Sequence, residues 1–199
     1  MLKINSLIYI LFLLSGVSAL AYQIIWQRVL FSTFGVNIDS ITIIVSTFML
    51  GLGLGALIGG KLADKYNTKQ LLMFIIIEIL IGIFGFFSYE LILYIGDFFI
   101  LSSSFVIFIA NFSILLLPTI LMGSTLPILI TYIYKSSGNI GFTTGMLYSF
   151  NTLGAALGAF FVGFISLMFF DIPSTIKIAS ANNFLVAFIT FIIYKKAIK

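Results

Sequence analysis

The charged residues of this chain stand so far apart that the apolar runs between them are longer than a soluble core can hide. No charged side chain occurs between Asp97 and Lys135, and none between Lys135 and Asp171. A helix crosses the hydrocarbon layer of a bilayer with about 20 apolar residues, so runs of this length read as membrane spans. Composition agrees. The chain is 61% hydrophobic and 8% charged, with a mean hydropathy of +1.25, whereas soluble domains carry roughly a quarter charged residues. A water-soluble globule is excluded on these grounds.

Cysteine and histidine are both absent. The usual ligands of structural zinc, the dithiol redox pairs and the Ser/His or Cys/His nucleophile pairs are therefore missing, and no metal or cofactor is expected. Ten basic and six acidic residues give a net charge of +4. These charges are too scattered to track phosphates, so nucleic acid is not an expected partner.

Six apolar runs are bounded by charge or turn residues, at 6–31, 41–60, 71–89, 105–134, 142–170 and 176–194. They predict an all-α integral membrane protein, a single domain over residues 1–199 built as a six-helix bundle. Short connections at 35–40, 61–70, 135–141 and 171–174 make neighbouring helices antiparallel. Within the fourth run, Pro118 and Pro127 each remove a backbone donor and predict a kinked or partly interfacial helix. The apolar stretch 91–100 is the weakest boundary: it reads as an interfacial segment or as a seventh span. A seventh span would carry Lys135, Lys195, Lys196 and Lys199 to the outer face, against the charge pattern.

Lysine and arginine beside spans favour the cytoplasmic side. With the N-terminus inside, Lys3, Lys61, Lys65, Lys69, Lys135, Lys195, Lys196 and Lys199 are cytoplasmic, and Arg28 and Lys177 are outside. Both termini are thus expected in the cytoplasm, with the chain in the plasma membrane. Lys3, the apolar stretch 7–14 and Ala19-Leu20-Ala21 imitate a secretory signal. The apolar run continues through Ile24, Ile25 and Val29, so an uncleaved first helix is expected.

Gly51, Gly55 and Gly59 recur every four residues in the second run, and Gly154 and Gly158 repeat the spacing in the fifth. Small stripes of this kind let helix backbones approach closely, within one chain or between two. Aligning 50–60 with 153–163 matches Leu50 with Leu153, Gly51 with Gly154, Gly55 with Gly158 and Gly60 with Gly163. The second and fifth helices then look like equivalents, which implies two three-helix units of the kind from which many transporters are built.

Glu78 is the one acidic residue well inside a run, ~10–12 Å from the cytoplasmic end at 1.5 Å per residue. A carboxyl at that depth is costly and calls for a partner. Gly82 and Gly85 follow at i+4 and i+7, which turns Glu78 towards the bundle. It reads either as a cation or proton site or as a structural hydrogen-bonded carboxyl. In the first run, Ser15, Ala19, Gln23 and Gln27 make one polar seam, and Ser18, Tyr22 and Trp26 an adjacent one. One seam is expected to face a cavity or a partner helix, while Trp26 and Arg28 also suit ordinary anchoring at the outer boundary. Asn111, Asn151, Asn182 and Asn183 are the amides within runs, with interhelical hydrogen bonding as their default. The candidate ligand-binding residues are Glu78, Tyr22, Gln23, Trp26 and Asn151.

LSGVSALAYQIIWQR (14–28) followed by FMLGLGLGALIGGKLADK (48–65) resembles the N-terminal membrane region of the fused major-facilitator-like spermidine synthase family. LLPTILMGSTLPIL (116–129), LYSFNTLGAALGAFFVGF (147–164) and NFLVAFITF (183–191) resemble its later helices in the same order. The resemblance implies a membrane domain related to half of a major-facilitator carrier, normally followed by a soluble aminopropyltransferase domain. That second domain is not in this sequence, so aminopropyl transfer by this polypeptide is not expected. GKLADKYNTK (60–69) is also similar to the loop between the second and third helices of major-facilitator carriers. Lys65 stands in place of an arginine, and Asn67 and Thr68 in place of a later glycine and arginine, which weakens any gating role for Asp64 and Lys65.

Three expectations follow. The chain is a membrane module that anchors or feeds a separate synthase-like chain and handles a polyamine or other cation. Alternatively, it is a half-size solute carrier acting as a homodimer, or a structural scaffold without a ligand.

Overall fold

The computed structural model of the chain describes residues 2–34, 37–99 and 101–198. Gly35, Lys199 and the side chains of Lys3 and Asp39 lie outside the described residues. Six helices carry the fold: α1 (Leu2–Phe34), α2 (Asn37–Lys65), α3 (Gln70–Phe98), α4 (Ser104–Ser137), α5 and α6 (Ile172–Ile198). Helix α5 starts as Ile140–Phe160, continues through a π-helical stretch, Phe161–Ser166, and ends in the short turn Leu167–Phe169. No strand occurs among the described residues. All six helices are long and apolar enough to cross a membrane, and the chain is a multi-pass membrane protein by that architecture.

Two boundaries differ from those expected. The stretch after Glu90 is not a seventh span, because α3 runs unbroken to Phe98. Nothing in 91–98 breaks a helix: Ile92 and Ile95 continue the buried face, while Glu90 sits on the exposed one, 3.8 Å from Lys177 of α6. The connection expected at 35–40 is also shorter, since α2 begins at Asn37. In α4 both prolines lie inside one continuous helix. Leu115, Thr119, Ile128 and Leu129 beside them are fully buried, so this segment packs inside the bundle.

Local chemistry explains the turns. Gly138 ends α4 in the left-handed region (φ 65°) and donates its N–H to Tyr134 O at 2.9 Å, a conformation that favours glycine. Asn139 then caps α5, its Oδ1 accepting from Phe142 N at 3.0 Å. Asp171 does the same for α6 through Ser174 N at 2.9 Å. Hydrogen bonding from Ser174 holds the Asp171 carboxyl below the usual carboxylate range. Lys135 Nζ donates to Asn67 O and, at 3.1 Å, to Gln70 Oε1, tying the end of α4 to the α2–α3 loop.

The helices pack chiefly as α2 on α4, α1 on α5 and α3 on α6, with α3–α4 and α1–α6 as further pairs. Exchanging α1–α3 with α4–α6 maps this set of pairs onto itself, as the two-unit reading of the sequence expects. Each unit has an odd number of helices, so the two run in opposite directions along the bundle axis. One pair breaks the symmetry: α1 also rests on α3, and α4 makes no comparable contact with α6.

The glycine stripes are the means of close approach. A Cβ at Gly51, Gly55 or Gly59 would overlap Thr119, Ile120 or Ser124 of α4. One at Gly154 or Gly158 would overlap the backbone of Leu13 or Val17 of α1. Gly16 and Gly123, which the spacing argument did not single out, answer from the other side against Asn151 and Leu52. The stripes are thus used within the chain, in the two symmetry-related pairs.

Candidate functional site

Helix α1 lies between two different environments, and its two polar seams face one each. Ser18, Tyr22 and Trp26 turn towards α3 and α6, where they are fully buried. Ser15, Ala19 and Gln23 border a cavity of about 390 Å³ between the α1–α5 and α2–α4 pairs.

Glu78 of α3 is fully buried at the centre of the first environment. Its Oε1 accepts from Ser15 Oγ at 2.6 Å and its Oε2 from Asn183 Nδ2 of α6 at 2.7 Å. Tyr22 OH donates to Asn183 Oδ1 at 3.0 Å, which fixes the amide with its NH₂ towards the carboxyl. Gly85 makes room for the Tyr22 ring, since a Cβ there would overlap the phenol. Around this core, Asn182 Nδ2 donates to Leu14 O at 2.7 Å and Ser18 Oγ at 2.8 Å, and Ser180 Oγ donates to Gly82 O at 2.7 Å. Glu78 thus lies on the inward face expected from Gly82 and Gly85.

Trp26 is not a boundary anchor. Its ring is fully buried, stacked on Tyr22 with centroids 5.2 Å apart, and its Nε1–H donates to Ser88 Oγ at 2.8 Å. Ser88 in turn donates to Gly85 O at 2.8 Å. The physical reason is that a buried indole satisfies its one donor inside the bundle, where an interface anchor would leave it to water or headgroups.

The cavity has the other polar groups. Ser15, Gln23, Thr125 and Asn151 line it together with apolar side chains such as Phe48 and Leu52. Neither Gln23 nor Asn151 makes a side-chain hydrogen bond among the described residues, so both amides are open to a ligand. This departs from the interhelical role expected of Asn151. Asn111 departs too, bonding only to Ile107 O of its own helix at 3.0 Å and leaving a buried Oδ1 without a partner. Asn182 and Asn183 keep the expected role.

The five candidates therefore fall into two groups. Glu78, Tyr22 and Trp26 belong to the packed α1–α3–α6 core, and Gln23 and Asn151 to the cavity. Ser15 joins them, because it lines the cavity and also donates to Glu78. It was visible in the sequence only as the first member of a polar seam. Ser88 and Ser180 carried no signal beyond their apolar surroundings. Asp64 and Lys65 are exposed in the last turn of α2, outside both groups, and Lys65 lies over the Tyr66 ring at 5.5 Å. No cluster of metal-ligating side chains occurs among the described residues.

No protein-family model, curated protein or solved structure matches the chain.

Proposed function

We propose that this multi-pass bundle binds a short organic cation, of the polyamine class, in the cavity between its two helix pairs. One observation carries the reading. The cavity offers two unpaired amides, Gln23 and Asn151, and stands one hydroxyl, Ser15, away from a buried carboxyl with no cationic partner among the described residues. Its volume of about 390 Å³ falls within the range of small-molecule sites, roughly 300–1,000 Å³. Phe12, Phe48 and Tyr148 on its wall add aromatic faces, which attract ammonium groups. The sequence resemblance to the membrane region of spermidine synthase-like proteins supports the same substrate class. It also supports a role in which the bundle anchors a separate synthase-like chain and exchanges polyamine with it.

The lysine-rich end, with both termini, faces the cytoplasm of the plasma membrane in this proposal. The homodimeric carrier is the weaker reading, because the glycine stripes that would serve as its seam are occupied within the chain. Aminopropyl transfer is assigned to the partner and not to this bundle.

The test is equilibrium binding of spermidine to the protein in lipid nanodiscs. Saturable binding is expected, weakened at least tenfold by Gln23→Ala with Asn151→Ala. Absence of saturable binding by the folded protein would overturn the proposal.

A further inference from the structure

The carboxyl of Glu78 meets the cavity at one point. Of the two side chains that bond to it, Ser15 lines the cavity and Asn183 does not. Both donors are neutral, and no ion pair reaches Glu78 among the described residues. The Ser15–Glu78 distance of 2.6 Å is that of a close O–H···O hydrogen bond, the contact a proton needs to pass between the two oxygens. An ionised carboxylate at this depth needs a compensating positive charge, and without one it takes up a proton.

The titratable groups of the neighbouring helices leave this place to Glu78. From α1, Tyr22 faces it through Asn183, while Tyr9 packs on Phe150 and Arg28 is exposed. From α6, Asn183 and Ser180 line the region, and Lys177, Tyr194, Lys195 and Lys196 lie near the helix ends. From α4, Tyr132, Tyr134 and Lys135 lie near its C-terminal end, with Lys135 bonded to Gln70, eight positions before Glu78 and hence ~12 Å along α3.

We propose that Glu78 is a proton-exchange site that opens onto the cavity through the Ser15 hydroxyl, and that a cation entering the cavity displaces its proton. In the protonated form, Oε1–H donates to Ser15 Oγ, and the Ser15 O–H points to water in the cavity. Exchange breaks the Oε1–H bond. Ser15 Oγ takes that proton and gives its own to the water, which leaves as hydronium. The products are the carboxylate and a serine hydroxyl that now donates to Oε1, across the same 2.6 Å contact. The ammonium group of the solute replaces the lost charge; only this last step rests on the polyamine reading.

Infrared spectroscopy of the protein in nanodiscs tests the proposal, with Glu78→Gln assigning the carbonyl stretch of the protonated acid. In the wild type the band disappears reversibly as pH rises, and it shifts promptly on transfer to deuterium oxide. Ser15→Ala slows that shift at least tenfold. Asn183→Leu, which removes the bond on the side away from the cavity, leaves the shift fast. The fluorescence of Trp26 verifies folding of each variant.

The proposal is overturned if Ser15→Ala exchanges as fast as the wild type, if Asn183→Leu slows exchange as much, or if no band depends on Glu78 at any pH. Added spermidine should remove the band with release of one proton per molecule bound. If spermidine does not bind while Ser15→Ala still blocks exchange, the polyamine reading fails and the proton site stands. If it binds without proton release, the polyamine reading stands and displacement fails.

Discussion

The Tyr22 hydroxyl sets which end of the Asn183 amide meets Glu78. Tyr22 OH donates to Asn183 Oδ1 at 3.0 Å, so Nδ2 is the group that remains for Glu78 Oε2, at 2.7 Å. Turned the other way, the amide would set its oxygen against the carboxyl and leave the phenol without an acceptor. Tyr22→Phe therefore leaves a buried acceptor unsatisfied and loosens the carboxyl's second bond. A loss of about 1–3 kcal/mol in stability is expected, the cost of an orphaned buried polar group. Asn183→Asp sets a second carboxyl beside Glu78 and is expected to be more damaging than Asn183→Ala. Thermal unfolding of the three variants in detergent checks the order.

Trp26 is the single tryptophan of the chain and is fully buried. Its fluorescence therefore reports one place in the fold. Blue-shifted emission, poorly quenched by acrylamide, is expected in the folded protein, with a red shift on unfolding. A tryptophan anchoring at the membrane boundary would instead be quenched readily in the folded state. Ser88→Ala removes the acceptor of the indole N–H and is expected to cost about 1–3 kcal/mol, read from the same emission in a denaturation series.

What could be read in the sequence followed from periodicity and cost. Six apolar runs, the glycine spacing and the inward face of Glu78 all follow from rules that act along one helix. The end of α3 lies beyond Glu90, the charge that bounds the apolar run, because a charged side chain on the exposed face, paired with Lys177, does not end a helix. The role of Trp26 was half legible: its spacing from Ser18 and Tyr22 put it in a seam, but its depth depends on Ser88 of another helix. Ser15 shows the general difficulty. A serine in an apolar run signals nothing until the fold brings a carboxyl to one side of it and a cavity to the other.

The two glycine-lined pairs make a symmetric prediction. Gly154 of α5 faces the backbone of Leu13, and Gly51 of α2 faces Thr119. Alanine at either position drives helices apart along a contact that cannot repack locally. Each substitution is expected to cost about 1–3 kcal/mol, the range for overpacking a close-packed interior. Gly53 and Gly145 meet nothing within 4 Å, so alanine there is expected to be neutral or slightly stabilising in a helix. Melting temperatures of the four variants decide the matter. Equal effects at all four would remove close packing as the function of the stripes.

Topology follows from which residues share an end of the bundle. Lys135 bonded to Gln70 brings the end of α4 to the start of α3, and Asn5 donating to Ser136 at 2.9 Å brings the start of α1 there too. Glu90 beside Lys177 joins the late part of α3 to the start of α6 at the opposite end. The first end carries Lys61, Lys65, Lys69, Lys135, Lys195 and Lys196, and the second carries Arg28 and Lys177. By the preference of lysine and arginine for the inner face, the first end is the one proposed above to face the cytoplasm. The absence of cysteine makes the test direct, because a single introduced thiol is the only one. Cysteine at Asn67 or Ser136 should resist an impermeant maleimide in intact cells and react after permeabilisation, while cysteine at Ser102 should react in both. Labelling of Asn67→Cys from outside, with Ser102→Cys protected, would invert the assignment and turn the lysine-rich end outwards.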